Sequence, residues 1–329
     1  MIDESVYRNI TRNGSFFAAP RQRCFFLDPL NEYKPGGLLY IESVVTSLIN
    51  FIGAFFAFSG NGIICLTFWK SSQLRSQSQL FLWCLAFADF LTGLIVQPFY
   101  GAYKIVYIAG YVSASCVLRV IIETVAWFSA ALSCALVSSI IGERYLTLHY
   151  HMRYHDVITT KRIILYIVFL VIVMAIASLS RFAMANIRPF LYFSICGLLL
   201  SLIILLTCSW KIYKHVRRHF LQIHDQNSKE RKSIDMRRFK KSLINMAYIA
   251  ILYIIAYMPF TFVLFLYLHN GFTADVEVAY DITRTLAFVS SIWNPFLYFW
   301  KIQELREAVK KVLNRNSPIN NFTEYTGKL

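Results

Sequence analysis

Ser78-Gln-Leu-Phe-Leu-Trp-Cys-Leu-Ala-Phe-Ala-Asp-Phe90 is an apolar run with one carboxylate, Asp89, set in its interior. The run continues to about Tyr103, long enough to cross the ~30 Å hydrocarbon core of a bilayer as a helix. An ionised side chain at that depth costs about 2.5–3.5 kcal/mol on insertion scales, so it persists where a bundle interior receives it. Six further apolar runs flank this one: about Leu38–Trp69, Ser115–His149, Arg162–Ser180, Pro189–Lys214, Lys241–His269 and Val278–Trp300. Seven such segments predict an all-α membrane protein, a seven-helix transmembrane bundle over residues 38–300. The fourth segment is short, and only Arg181–Arg188 separates it from the fifth.

Composition agrees with lipid as the solvent. Hydrophobic residues make up 57% of the 329 and charged residues 16%, against roughly 25% charged in soluble domains. The net charge of +15 sits in the gaps between apolar runs, which favours membrane orientation over nucleic-acid binding. The connection Lys211–Lys241 alone holds 11 of the 33 Lys and Arg. That end is expected to face the cytoplasm, which leaves the N-terminus, residues 1–37, outside the cell. The N-terminal stretch carries two glycosylation sequons, at Asn9 and Asn13. It has no positive-then-apolar start, so the first apolar run is expected to serve as the uncleaved membrane signal. After the seventh run, residues 301–313 place Ile302, Leu305, Val309 and Val312 near helical spacing among Lys and Glu. This predicts a short amphipathic helix on the inner surface, with residues 314–329 as a polar cytoplasmic tail.

Few polar side chains lie within the runs, and those few carry the chemistry. Asn61, Asp89, Ser133, Ser291 and Asn294 fall at similar depth if the helices alternate in direction. They read either as a site for a small cation such as sodium or as a hydrogen-bonded cluster that satisfies only itself. Glu143-Arg144-Tyr145 closes the third segment, and Asn294-Pro-Phe-Leu-Tyr298 kinks and closes the seventh at Pro295. Cys24 and Cys116 are the two cysteines outside the membrane; they either pair or stay as free thiols.

The order and spacing of these motifs resemble rhodopsin-like (class A) G-protein-coupled receptors over nearly the whole chain. Gly60-Asn61, Leu85–Asp89, Glu143-Arg144-Tyr145, Pro259 within Tyr257-Met-Pro-Phe260, and Asn294–Tyr298 occur in the family's order. The departures are specific. The second outer loop has no cysteine, the fifth helix carries Ser201 and Ser209 where Pro and Tyr are usual, and Phe169 stands in place of a Trp. Phe239 occupies a position where an acid often restrains the Arg. These losses resemble the branch that holds melanocortin, lysophospholipid, cannabinoid and adenosine receptors.

The resemblance implies a plasma-membrane receptor, not an enzyme. It takes an extracellular ligand and activates a heterotrimeric G protein, with no cofactor beyond the sodium alternative. The pocket is expected among Glu123, Trp127, Tyr257, Phe260, Leu264, Arg284 and Phe288. Ala126 stands where amine receptors carry an Asp, and Phe288 where opsins carry a Lys, so a peptide or lipid is expected ahead of an amine. Glu123 and Arg284 either meet the ligand or pair with each other or with Asp281. Tyr253, Tyr257 and Pro259 are the expected relay to Arg144, and Met152 the expected hydrophobic contact with the G protein. A receptor active without ligand, and a transporter, are the rival readings. Neither inverted repeats nor paired broken helices are visible in favour of the latter.

Overall fold

Lipid offers no hydrogen-bond partners, so each apolar run satisfies its own backbone by becoming helical. The computed structural model describes residues 37–70, 77–150, 154, 158–184, 186–224, 229–271, 273–301 and 303–313. Helix α1 spans Leu38–Lys70. Helix α2 comprises Gln77–Leu91, a π-helical turn Thr92–Val96, and Gln97–Ile108. Then follow α3 (Val112–Tyr150), α4 (Thr160–Ala183), α5 (Ile187–His224), α6 (Lys229–Asn270), α7 (Ala274–Lys301) and α8 (Gln303–Leu313). No strand occurs among the described residues.

The helices form one bundle. α3 packs against α2, α4 and α5, while α7 lies between α1 and α6. Among the described residues, six helices, α1 to α6, are apolar enough to span by composition alone. α7 carries Asp275, Glu277, Asp281 and Arg284. It crosses all the same because Asp281 and Arg284 turn inward, 4% and 8% exposed. The outside of the bundle is greasy: Phe55, Leu165, Ile176, Trp210 and Phe262 are each more than half exposed. Water would not tolerate such a surface, and a bilayer does. α8 buries Leu305 and Val309 against Ile64 and Phe68 of α1, as its amphipathic pattern predicts.

The connection expected at Lys211–Lys241 is largely helical. α5 runs on to His224 and α6 begins at Lys229, because the Lys-, Arg- and Gln-containing sequence still favours helix beyond the lipid.

Two local features set the inward faces. Pro98 has no N–H to give the carbonyl four residues back, and the turn ahead of it widens, with Gln97 N–H reaching Thr92 C=O. The extra residue rotates the rest of α2 by about 100° relative to an unbroken helix. Gln97, Tyr100 and Lys104 thereby point into the bundle, all at most 2% exposed. Gly93 lies inside this turn, and a Cβ there would stand 2.4 Å from Phe58 N of α1. The two backbones approach that closely only because Gly93 has no side chain.

Candidate functional site

Three groups of polar side chains line the axis of the bundle. The first lies toward the end where α1 begins. Trp127 Nε1 donates to Glu123 Oε2 at 2.8 Å. Arg284 donates to Glu123 Oε1 and to Asp281 Oδ1, each at 2.9 Å. Lys104 Nζ donates to Asp281 Oδ2 and, at 3.1 Å, to Glu42 Oε2. Thr46 and Ser43 hydroxyls donate to Glu42 at 3.1 and 3.2 Å. Five charged groups from α1, α2, α3 and α7 thus form one chain of ion pairs. Removed from water, each needs its partner, because an unpaired buried charge costs several kcal/mol. The Arg284 guanidinium also lies over the rings of Tyr100 and Tyr280, 4.5 and 4.8 Å from their centroids.

The sequence pointed to Glu123 and Arg284 but not to Glu42 or Lys104. Of the two readings left open for Glu123 and Arg284, the pairing one is present in the structure, with Arg284 bonded to both Glu123 and Asp281; contact with a ligand is a separate matter. The aromatic walls assemble as expected: Trp127 meets Phe190 edge-on at 5.0 Å and Phe260 at 5.8 Å, and Phe288 meets Tyr100 at 5.8 Å. Leu264 sits behind these rings, fully covered in the cluster of Phe190, Phe260 and Tyr280.

The second group surrounds Asp89. Asn294 Nδ2 donates to Asp89 Oδ2 at 2.6 Å, and Ser133 Oγ approaches Oδ1 at 3.4 Å. Asn61 Nδ2 donates to the Ser291 carbonyl at 3.1 Å. The Ser291 hydroxyl turns to the Phe288 carbonyl at 2.6 Å rather than to Asp89, since a helical Ser satisfies itself on the preceding turn. Asn61 Oδ1 is buried without a hydrogen-bond partner. The carboxylate therefore receives neutral donors, and none of the ion pairs among the described residues includes Asp89. An oxygen-rich set holding an unbalanced negative charge fits a small hard cation such as sodium. Asp89 and Ser133 would be its nearest ligands.

The third group lies at the opposite end. Tyr154 donates to Glu143 Oε1, and Thr147 does so at 3.2 Å. Burial and the neighbouring Glu143 carboxylate push the Tyr154 phenol up to about 12, so it stays a neutral donor at physiological pH. Arg144 reaches Glu143 only at 3.8 Å, and its side chain is 48% exposed. Tyr145 stacks on His149 at 5.7 Å, with Lys211 Nζ 5.3 Å from its centroid. Between this end and the first group, Tyr253 donates to the Leu198 carbonyl of α5 at 3.3 Å and packs on Tyr257 at 5.0 Å. Pro259 lies within α6 just beyond them, and Pro295 within α7, each leaving one helical hydrogen bond unmade. A Cβ on Gly60 would meet the Pro295 ring at 3.1 Å, so α7 packs directly on α1 at this proline.

Cys116 is disulfide-bonded, while Cys65, Cys84, Cys134, Cys196 and Cys208 are free. Its expected partner Cys24, the sequons at Asn9 and Asn13, Met152 and the Tyr298 side chain lie outside the described residues.

Comparison with known proteins adds two findings. The family described as 7 transmembrane receptor (rhodopsin family) matches residues 60–190 and 182–298. Among individual proteins, the histamine H2 receptor of Cavia porcellus is 26% identical, covering 82% of this chain and 79% of its own length. Those of Rattus norvegicus and Homo sapiens are 25% and 24% identical, with 83% and 79% of this chain covered and 79% and 78% of their own.

Proposed function

This chain belongs to the rhodopsin family of seven-transmembrane receptors, and on that premise we propose that it responds to a ligand bearing a cationic group, received at Glu123 from outside the cell. A receptor of this family is a multi-pass membrane protein that signals through a heterotrimeric G protein. The N-terminus then faces outward, with the Lys- and Arg-rich ends of α5 and α6 in the cytoplasm.

The observation that carries the ligand reading is the position and charge of Glu123. It stands three residues before Ala126, hence one turn further out on the same face of α3. Its chain of ion pairs holds three carboxylates, Glu42, Asp281 and Glu123, against two bases, Lys104 and Arg284. One negative charge is in excess, and a ligand cation balances it. The relatives are receptors named for an amine, which weighs against the ordering of peptide and lipid ahead of amine. A small amine and a basic peptide side chain both offer the required charge. Trp127, Phe260 and Tyr257 supply the apolar walls around it.

Activation follows as a shift between two states. A ligand that binds the open form more tightly populates it. Its cation at Glu123 competes with Arg284, and its body repacks Trp127 against Phe260. Tyr257 and Tyr253 pass that repacking down α6, which bends at Pro259, and Arg144 meets the G-protein α-subunit. The test is a dose–response screen of amines and basic peptides, read as nucleotide exchange on the α-subunit. Glu123→Gln is expected to lower agonist potency 10-fold or more while leaving an agonist-free baseline. Unchanged potency removes Glu123 from the site.

One observation favours ligand-independent activity as a second reading. Glu143 is held by Tyr154 and Thr147, which leaves Arg144 loosely restrained. Tyr154→Phe is expected to tighten the Glu143–Arg144 pair and lower basal exchange; a rise in basal exchange contradicts this.

A further inference from the structure

The ion-pair chain at the outer end of the bundle alternates in sign, in the order Glu42, Lys104, Asp281, Arg284, Glu123. Its three middle members are each divided between two neighbours. Lys104 Nζ donates to Glu42 Oε2 at 3.1 Å and also to Asp281 Oδ2. Asp281 accepts from Lys104 on one oxygen and from Arg284 on the other. Arg284 places Nη2 on Asp281 and Nη1 on Glu123, each at 2.9 Å. None of the five side chains is more than 11% exposed, so water and salt screen these bonds weakly.

A buried group shared between two partners turns to one when the other is removed. Along an alternating chain the effect reverses at each link. Without the charge of Glu42, Lys104 settles on Asp281, Asp281 pulls less on Arg284, and Arg284 closes on Glu123. Without Lys104 the order inverts. Asp281 keeps only Arg284 and draws it away, and Glu123 is left more negative. Glu42 then has the hydroxyls of Ser43 and Thr46 and no route to Glu123. Among the described residues neither Glu42 nor Lys104 bonds to Glu123, yet their effects on it are opposite. The last link carries its own reporter: Trp127 Nε1 donates to Glu123 Oε2 at 2.8 Å, the oxygen that Arg284 does not hold.

We propose that Glu42 and Lys104 are positioning residues for the cation site: acting through Asp281 and Arg284, they set how tightly Glu123 receives a cationic ligand. This rests on Glu123 being that site. Two residues on α1 and α2, remote from the ligand's charge, thereby tune the receptor's affinity in opposite directions.

The test uses the full chain in nanodiscs with isotope-labelled tryptophan, read by nuclear magnetic resonance of the indole N–H. The Trp127 line is the one missing from Trp127→Phe. Without ligand, Glu42→Gln is expected to move this line toward a weaker hydrogen bond and Lys104→Met toward a stronger one. The double variant is expected to follow Lys104→Met, because Glu42 acts only through Lys104. The probe 2-phenylethylamine, one ammonium on a short aromatic body, is then titrated against the same line. Its affinity is expected to fall about fivefold or more in Glu42→Gln and to rise about fivefold or more in Lys104→Met, the lower end of coupling between linked sites. Loosened packing alone would move both variants the same way. Shifts in one direction, no shift, or a Glu42→Gln effect that persists in the Lys104→Met background overturn the proposal and leave Glu123 as the site. An amine that binds wild type no better than Glu123→Gln overturns the reading of Glu123, and this proposal with it. Glu42→Gln is the milder change, so its ligand-free shift decides alone if Lys104→Met fails to fold.

Discussion

Replacing Lys104 by Met removes the middle of the ion-pair chain with little change in side-chain length. Lys104 is 2% exposed, so no water enters to take its place. Glu42 keeps only the hydroxyls of Ser43 and Thr46, while Asp281 keeps Arg284. The dominant effect is one carboxylate, Glu42, left buried without a cation. Removing one partner of a buried pair costs about 3–5 kcal/mol. At roughly 2–4 °C per kcal/mol, the melting temperature falls by about 6–20 °C. Glu42→Gln alone should cost less, because Lys104 retains Asp281 and only a neutral amide remains on α1. The double variant Glu42→Gln/Lys104→Met should recover at least half of the loss, since the orphaned charge is gone. The assay is thermal unfolding of the purified receptor in one detergent, followed by a thiol-reactive dye reporting the buried Cys134. A Lys104→Met variant within 2 °C of wild type, or a double variant whose losses simply add, would refute the reasoning that these charges depend on one another.

Gly93→Ala places a Cβ against the backbone of α1, which no side-chain movement relieves. Its expected cost is roughly 1–3 kcal/mol, read as a lower melting temperature, whereas Gly142→Ala at an open position should be near neutral. Asp89→Asn removes the charge around which the second cluster is built. Wild type is expected to melt several degrees higher in sodium chloride than in the same concentration of N-methylglucamine chloride, and the variant to show no difference.

Asp89, Ser133 and Asn294 meet because each is costly in lipid, and that cost was legible in the residues themselves. So were Glu123 and Arg284, the one acid and one base expected deep in the outer half, although the sequence left open whether they pair or meet a ligand. Glu42 and Lys104 escaped notice for the opposite reason. Each lies near the end of an apolar run, where a charge ordinarily reaches back to water. What turns Lys104 inward is the extra residue in the π-helical turn, a backbone feature that apolar patterning does not reveal. Tyr154 likewise reads as an ordinary loop residue until the chain after α3 brings it to Glu143. Hydropathy located the spans but not the helix ends, since α5 and α6 continue past the lipid on helix propensity alone. The branch was harder still. Missing Cys, Pro and Trp positions resemble one set of receptors, while overall similarity includes histamine receptors. Absent residues report only which contacts a lineage no longer uses.

The most direct measurement is the rate of guanine-nucleotide exchange on purified heterotrimers added to nanodiscs that contain the receptor, with Arg144→Ala alongside. Wild type is expected to accelerate exchange on at least one class of α-subunit, further so with a cationic agonist, and Arg144→Ala to bring the rate down to that of empty discs. Exchange that never exceeds empty discs across all α-subunit classes, or that survives intact in Arg144→Ala, would contradict it.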